Sequence, residues 1–213
     1  KPSEPEKREA LAVNVDDMLQ PWTGDLPGML DRRTIRVLTT FSKTFFFINK
    51  GTQRGATHDI FMEFERSLNQ SLTKEKKLKH RHLKVRIIFV PVARDQLISA
   101  LNAGKGDIIA ANLTITPARQ QEMTFTAPIY SHVQELLLSG PGSPKVENLQ
   151  QLSGKTVFVR TSSSYYESLV ALNARFAQQS LPPITITPAP EALEDEDLIE
   201  MLSAGLIPLT VVD

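Results

Sequence analysis

The stretch Gly106-Asp-Ile-Ile-Ala-Ala-Asn-Leu-Thr-Ile-Thr-Pro-Ala-Arg-Gln-Gln-Glu-Met-Thr-Phe-Thr-Ala-Pro-Ile-Tyr130 decides the fold. Its apolar run predicts a buried strand over Asp107–Ala111, which opens into a polar loop and then a short helix. Thr116 has the side chain of an N-cap, and Pro117 suits the first helical position, where its missing N–H costs nothing. Arg119 then falls in the first helical turn, where the helix dipole disfavours a cation. A guanidinium beside free backbone N–H groups suits a carboxylate ligand. The alternative is a surface arginine paired with Glu122 at i+3, a common and weak arrangement.

The segment Gly-x-Gly-Asp-Ile-Ile-Ala-Ala-Asn-Leu-Thr-Ile-Thr-Pro-x-Arg, followed by Phe-Thr-x-Pro, resembles the signature of family 3 extracellular solute-binding proteins. That resemblance implies an α/β fold of the type II periplasmic-binding-protein kind, a two-lobed clamp for amino acids and related small ligands. It also implies that Arg119 holds the ligand carboxylate.

Composition is permissive. The 213 residues are enough for two modest lobes, and lysine plus arginine balances aspartate plus glutamate at 24 each. Bulk charge therefore gives no argument for nucleic acid or a membrane surface. With no cysteine, disulfides and thiolate chemistry are excluded. No apolar run approaches the roughly 18 residues of a membrane span.

Working outward, residues 1–30 read as a leader that is charged at its start and carries Trp22 as a packing anchor. Residues 31–132 read as the first lobe. Its strand Thr34–Thr40 opens into Phe41-Ser-Lys-Thr-Phe-Phe-Phe-Ile, beyond a strand's carboxyl end, where ligands bind in open α/β sheets. Phe45, Phe46 and Phe47 are candidates for an apolar wall there, with Phe46 taken as the binding residue. A helix is expected next, capped by Thr57, with Ile60, Phe61, Phe64 and Leu68 on one face. Seven lysines or arginines between residues 74 and 86 read as a solvated connector, because no aromatics are interleaved to stack on bases. His80 and His82 lack a third ligand, so no metal is expected.

Residues 133–140 read as the crossing between lobes, and 141–213 as a second lobe, incomplete at its end, that repeats the strand–helix alternation of a parallel sheet. Lys155–Arg160 is its first strand. Ser162, Ser163 and Ser164 then supply hydroxyls and free N–H groups at a helix start reaching about Gln178. Glu194, Asp195, Glu196 and Asp197 crowd the next helix's N-terminus, where the dipole favours them, and Pro208–Asp213 is a last buried strand.

Arg160-Thr-Ser-Ser-Ser-Tyr-Tyr-Glu-Ser-Leu, Leu193 to Asp213, and Trp22-Thr-Gly-Asp-Leu-x-Gly-Met-Leu-x-Arg-Arg-x-Ile-Arg-Val together are similar to the binding module of F-type lytic transglycosylases. There a solute-binding-like module precedes a muramidase-like catalytic domain. The resemblance implies a periplasmic or cell-envelope module that senses an amino acid or a peptidoglycan stem peptide and controls a fused transglycosylase. It implies that Arg119 and Thr114 take the ligand carboxylate, that Ser162 and Ser163 close on it, and that Asp213 pairs with the α-ammonium. It also implies that the family's return strands follow Asp213. No cofactor, metal or catalytic residue is implied within the chain. Two alternatives differ in class: a free-standing amino-acid-binding component of an importer, and an enzyme using Asp213, His132 and Glu135 in acid–base chemistry.

Overall fold

The computed structural model describes residues 20–78, 83–143 and 145–213. His80, His82 and the charged start of the leader lie outside the described residues.

The first lobe is built on a parallel sheet ordered β4-β1-β5, from β1 (Thr34–Thr39), β4 (Arg86–Pro91) and β5 (Ile108–Ile109). β1 is buried along its whole length, as expected of a central parallel strand covered on both faces. Ile35 and Val37 pack with Phe46, Leu72, Val85, Ile87 and Phe89. Leu38 faces the other way, onto Leu97, Ala100 and Ala111. β5 is shorter than the sequence suggests, but the ladder continues past it. The Asp107 N–H donates to the Arg36 carbonyl and the Ala110 N–H to the Leu38 carbonyl, both at 2.8 Å.

Helix α1 (Leu26–Asp31) precedes β1, and the hairpin of β2 (Phe47–Asn49) and β3 (Thr52–Arg54) leads to α2 (Ala56–Lys74). The expected cap and face of α2 need correction. The helix starts at Ala56, so Thr57 lies inside it, and the N-cap is Gly55. Gly55 has φ 117°, and a Cβ there would sit 2.3 Å from the Phe45 carbonyl oxygen, so the close approach of the Phe45 backbone fixes the start. With that phase, Phe61, Leu68 and Leu72 face inward, while Ile60 and Phe64 are exposed. Helix α3 (Leu97–Asn102) follows a 3₁₀ turn at Arg94–Gln96.

The second lobe carries β6 (Leu136–Ser139), β7 (Thr156–Arg160), β8 (Thr185–Ala189) and β9 (Leu209–Val212) in the order β6-β9-β7-β8. All pairs are parallel except β6 with β9. Val157 and Val159 meet Leu169, Leu172 and Phe176 of α5 (Ser164–Gln178). On the opposite face Phe158 packs with Leu198 and Leu202 of α6 (Asp195–Ser203). The short helix α4 (Pro117–Glu122) carries Arg119, which reaches the Ser162 carbonyl of the second lobe.

One device recurs in both lobes. The Asn69 amide in α2 brackets Val85, donating to its carbonyl and accepting from its N–H, both at 2.9 Å. In α5 the Asn173 amide does the same to Ile184, at 3.0 and 2.7 Å. Each asparagine satisfies backbone groups at the entry to a strand that the ladder would leave unpaired.

Candidate functional site

Thr116 caps α4 as expected: its Oγ1 accepts from the Arg119 N–H at 3.3 Å, with Pro117 in the first turn. This cap aims Arg119 inward. Only 7% of the residue is exposed, which removes the surface-pair alternative. Its Nη1 donates to the Thr114 carbonyl and its Nη2 to the Ser162 carbonyl, both at 2.8 Å. One guanidinium thus bridges the two lobes. Desolvation lowers its pKa, against the raising influence of Glu167, Tyr165 and Asp213.

Thr114 Oγ1 donates to the Asp213 carboxylate at 3.2 Å. Arg119, Thr114, Ser162 and Asp213 therefore form one hydrogen-bonded constellation across the interlobe face. Ser163 adjoins it, but its hydroxyl serves the fold, donating to the Arg160 carbonyl at 2.6 Å and accepting from the Tyr166 N–H at 3.2 Å as the cap of α5. Phe46 is a correction. Its ring is fully enclosed, 5.0 Å from that of Phe89, because the Ser42–Phe46 bridge folds the loop back onto the sheet. It is core, and the exposed rings of that segment are Phe41 and Phe45.

Sequence reasoning missed several groups around this constellation. Glu191 accepts from Ser162 twice, from the N–H at 3.1 Å and from Oγ at 2.5 Å. The Tyr165 hydroxyl donates to Asp195 at 2.8 Å, and burial, then the Asp195 charge, raises its pKa. Glu191 follows the carboxyl end of β8, so the strand-end rule applied to Phe41–Ile48 would have found it.

The acids of α6 do more than match a dipole. Glu194 forms an ion pair with Arg94 of the first lobe, with Nε at 3.1 Å and a shorter contact from Nη2. Ser42 Oγ donates to Glu196 at 2.6 Å, and Lys43 lies 2.9 Å from Asp197 and 2.7 Å from Glu200. Asp195 turns to its own lobe, pairing with Arg160 at 2.5 Å.

The Lys43 cluster carries a pH dependence. Glu200, then Asp197, raises the Lys43 pKa. Burial pushes Asp197 upward, but its hydrogen bonds from Lys43 and the Glu194 N–H outweigh this, and its pKa falls below 3.8. A depressed carboxylate stabilises above its unfolded value and loses that contribution as pH drops through the folded one. The raised lysine contributes fully below 10.5 and loses its contribution only at more alkaline pH. Lys43→Ala is therefore expected to cost a small amount of stability at neutral pH, where the exposed, screened pair contributes in full, and that difference from the parent should shrink as pH falls through the folded Asp197 value. Circular dichroism across an acid titration measures this.

The sequence profile of the bacterial extracellular solute-binding proteins, family 3, matches residues 40–206. The chain belongs to that family. Within it, the chain is 30% identical over 179 residues to the membrane-bound lytic murein transglycosylase F of Desulfosudis oleivorans, a match covering 84% of this chain and 35% of the relative. Against the enzyme of the same name from Shewanella pealeana it is 34% identical over 118 residues, covering 55% of this chain and 23% of the relative. The family member thus spans about a third or less of these relatives' length. Among solved structures, an ancestral arginine-binding protein bound to arginine matches with a TM-score of 0.58 at 23% identity, covering 84% of this chain and 70% of that one. An ancestral amino acid-binding protein, a precursor of cyclohexadienyl dehydratase, matches at 0.57 and 26% identity, covering 88% and 73%. These neighbours fit the two-lobed α/β clamp. Among the described residues no helix is long and apolar enough to cross a membrane, and no cluster of metal-ligating side chains occurs.

Proposed function

We propose that this module binds an amino acid or a peptidoglycan stem peptide between its lobes and thereby controls a fused lytic transglycosylase domain in the periplasm or cell envelope. One observation carries the reading. Buried arginines in this fold have carboxylate partners: Arg36 has Asp107 and Arg160 has Asp195. Arg119 is equally buried, yet among the described residues its guanidinium meets only carbonyl oxygens. A buried cation that no carboxylate touches is costly; Glu167 and Asp213 act on it only from a distance, and a ligand carboxylate supplies the direct partner that is missing. Asp213, exposed and held by Thr114, offers an anion to the ligand's ammonium.

The regulatory half of the reading draws on the likeness to transglycosylase F. Binding that favours one arrangement of the lobes over another shifts their equilibrium and alters whatever is attached. Calorimetric titration with free amino acids and a stem tetrapeptide, repeated on Arg119→Lys and Arg119→Ala, tests the binding. Losing charge-assisted hydrogen bonds is expected to weaken it by on the order of 10- to 100-fold in Arg119→Ala. Arg119→Lys should recover part of that, since lysine keeps the charge and loses the fork. Tight binding of one free amino acid with the stem peptide inert would favour an importer component. Unchanged affinity in both variants would refute the carboxylate role.

A further inference from the structure

Ser162 is the point where the second lobe meets Arg119, through its carbonyl. Its two donors, N–H and Oγ, point to Glu191. The helix does not need that acid, because Ser163 already caps α5 through its contact with the Tyr166 N–H. The Ser162 donors are thus surplus to helix capping, and a carboxylate from the chain itself fills them.

We infer that Glu191 is a specificity-determining residue: it occupies the second lobe's anion subsite and turns that half of the cleft into an acceptor surface. A ligand carboxylate is then held by Arg119 alone, and a second carboxylate finds Glu191 already on Ser162. With Asp213 also presented to the site, the favoured class is a monocarboxylate whose remainder is neutral or cationic. Dicarboxylic amino acids are rejected. The ligand class rests on the binding reading above, whereas the occupancy of Ser162 by Glu191 does not.

The experiment has two arms on the full chain, using Glu191→Ala and Glu191→Gln checked for folding by circular dichroism. In the first arm the probe is acetate, followed by thermal shift. Vacating Ser162 at the start of a fifteen-residue helix frees its donors for an anion, so Glu191→Ala should gain an acetate-dependent rise in melting temperature that the parent lacks. Ser162→Ala added to Glu191→Ala should diminish it. No gain over the parent overturns the inference. In the second arm L-arginine, L-alanine and L-glutamate are titrated. The parent should reject glutamate, and either variant should improve glutamate relative to arginine by on the order of tenfold. Equal affinity of the parent for glutamate and arginine overturns the inference. If the parent binds no amino acid while the acetate gain appears, the functional reading fails and the Glu191 assignment survives.

Discussion

Asp107→Ala is expected to destabilise the first lobe by about 3–5 kcal/mol, the cost of removing one partner from a buried ion pair. The carboxylate is 1% exposed and serves three groups. Oδ2 accepts from the Arg36 N–H at 2.7 Å and from Arg32, and Oδ1 accepts from Arg36 Nη2 at 3.0 Å. Arg36 lies at 1% exposure in the central strand and would be left as a buried charge. The loss would also loosen the leader. Arg36 donates to the Gln20 and Trp22 carbonyls at 2.9 and 3.0 Å, and the Arg32 guanidinium lies 3.9 Å over the Trp22 ring. Melting temperature should fall by roughly 6–20 °C, given about 2–4 °C per kcal/mol for a chain of this size. Arg36→Met with Asp107→Leu should recover part of it, because neither member of that pair is left as a buried charge, although Arg32 still loses its carboxylate partner. A loss of less than about 1 kcal/mol in Asp107→Ala by chemical denaturation would show that the cluster is dispensable.

That cluster also marks the limit of what the sequence disclosed. β1 reads as a strand because Ile35, Val37 and Leu38 are apolar, and its parallel neighbours follow from strand–helix alternation. Nothing local says that Arg36 is buried, since its partner is 71 residues away. Thr116 and Pro117 disclosed the start of α4 because capping is a local interaction. The inward turn of Arg119 depends on a carbonyl 43 residues distant. Phe46 misled for a related reason: three consecutive aromatics cannot all face one way, and only the return of the loop onto β1 selects which ring is enclosed. The acids of α6 were placed correctly on a helix start, but their partners Ser42, Lys43 and Arg94 belong to the other lobe. Local rules recover elements and caps, whereas ion pairs between elements depend on the assembled fold.

Those pairs underlie the second large effect. Glu194→Gln is expected to weaken the contact between lobes by several kcal/mol and to increase the radius of gyration. Arg94 and Glu194 are 12% and 6% exposed as side chains, so the pair is screened less than the open Lys43 cluster beside it. Arg94 would keep the Ala111 carbonyl at 3.0 Å and the amide oxygen of the glutamine, but neutral oxygens do not neutralise a buried cation, and the cost approaches the 3–5 kcal/mol of a broken buried pair. Glutamine is the informative substitution because its volume is similar and its amide can still accept. The capping contact from the Glu194 N–H to Asp197, at 3.0 Å, uses the backbone and survives. Small-angle scattering and thermal melts of Arg94→Met, Glu194→Gln and the double variant form a cycle that isolates the pair. A coupling of several kcal/mol with expansion in each single variant makes Arg94–Glu194 a latch between the lobes. Expansion that is absent, or equal for Lys43→Ala, would assign the interlobe contact to the constellation of Arg119 and Ser162. Ligand binding and lobe contact would then be one interaction, whereas a separate latch would let the lobes stay together when the site is empty.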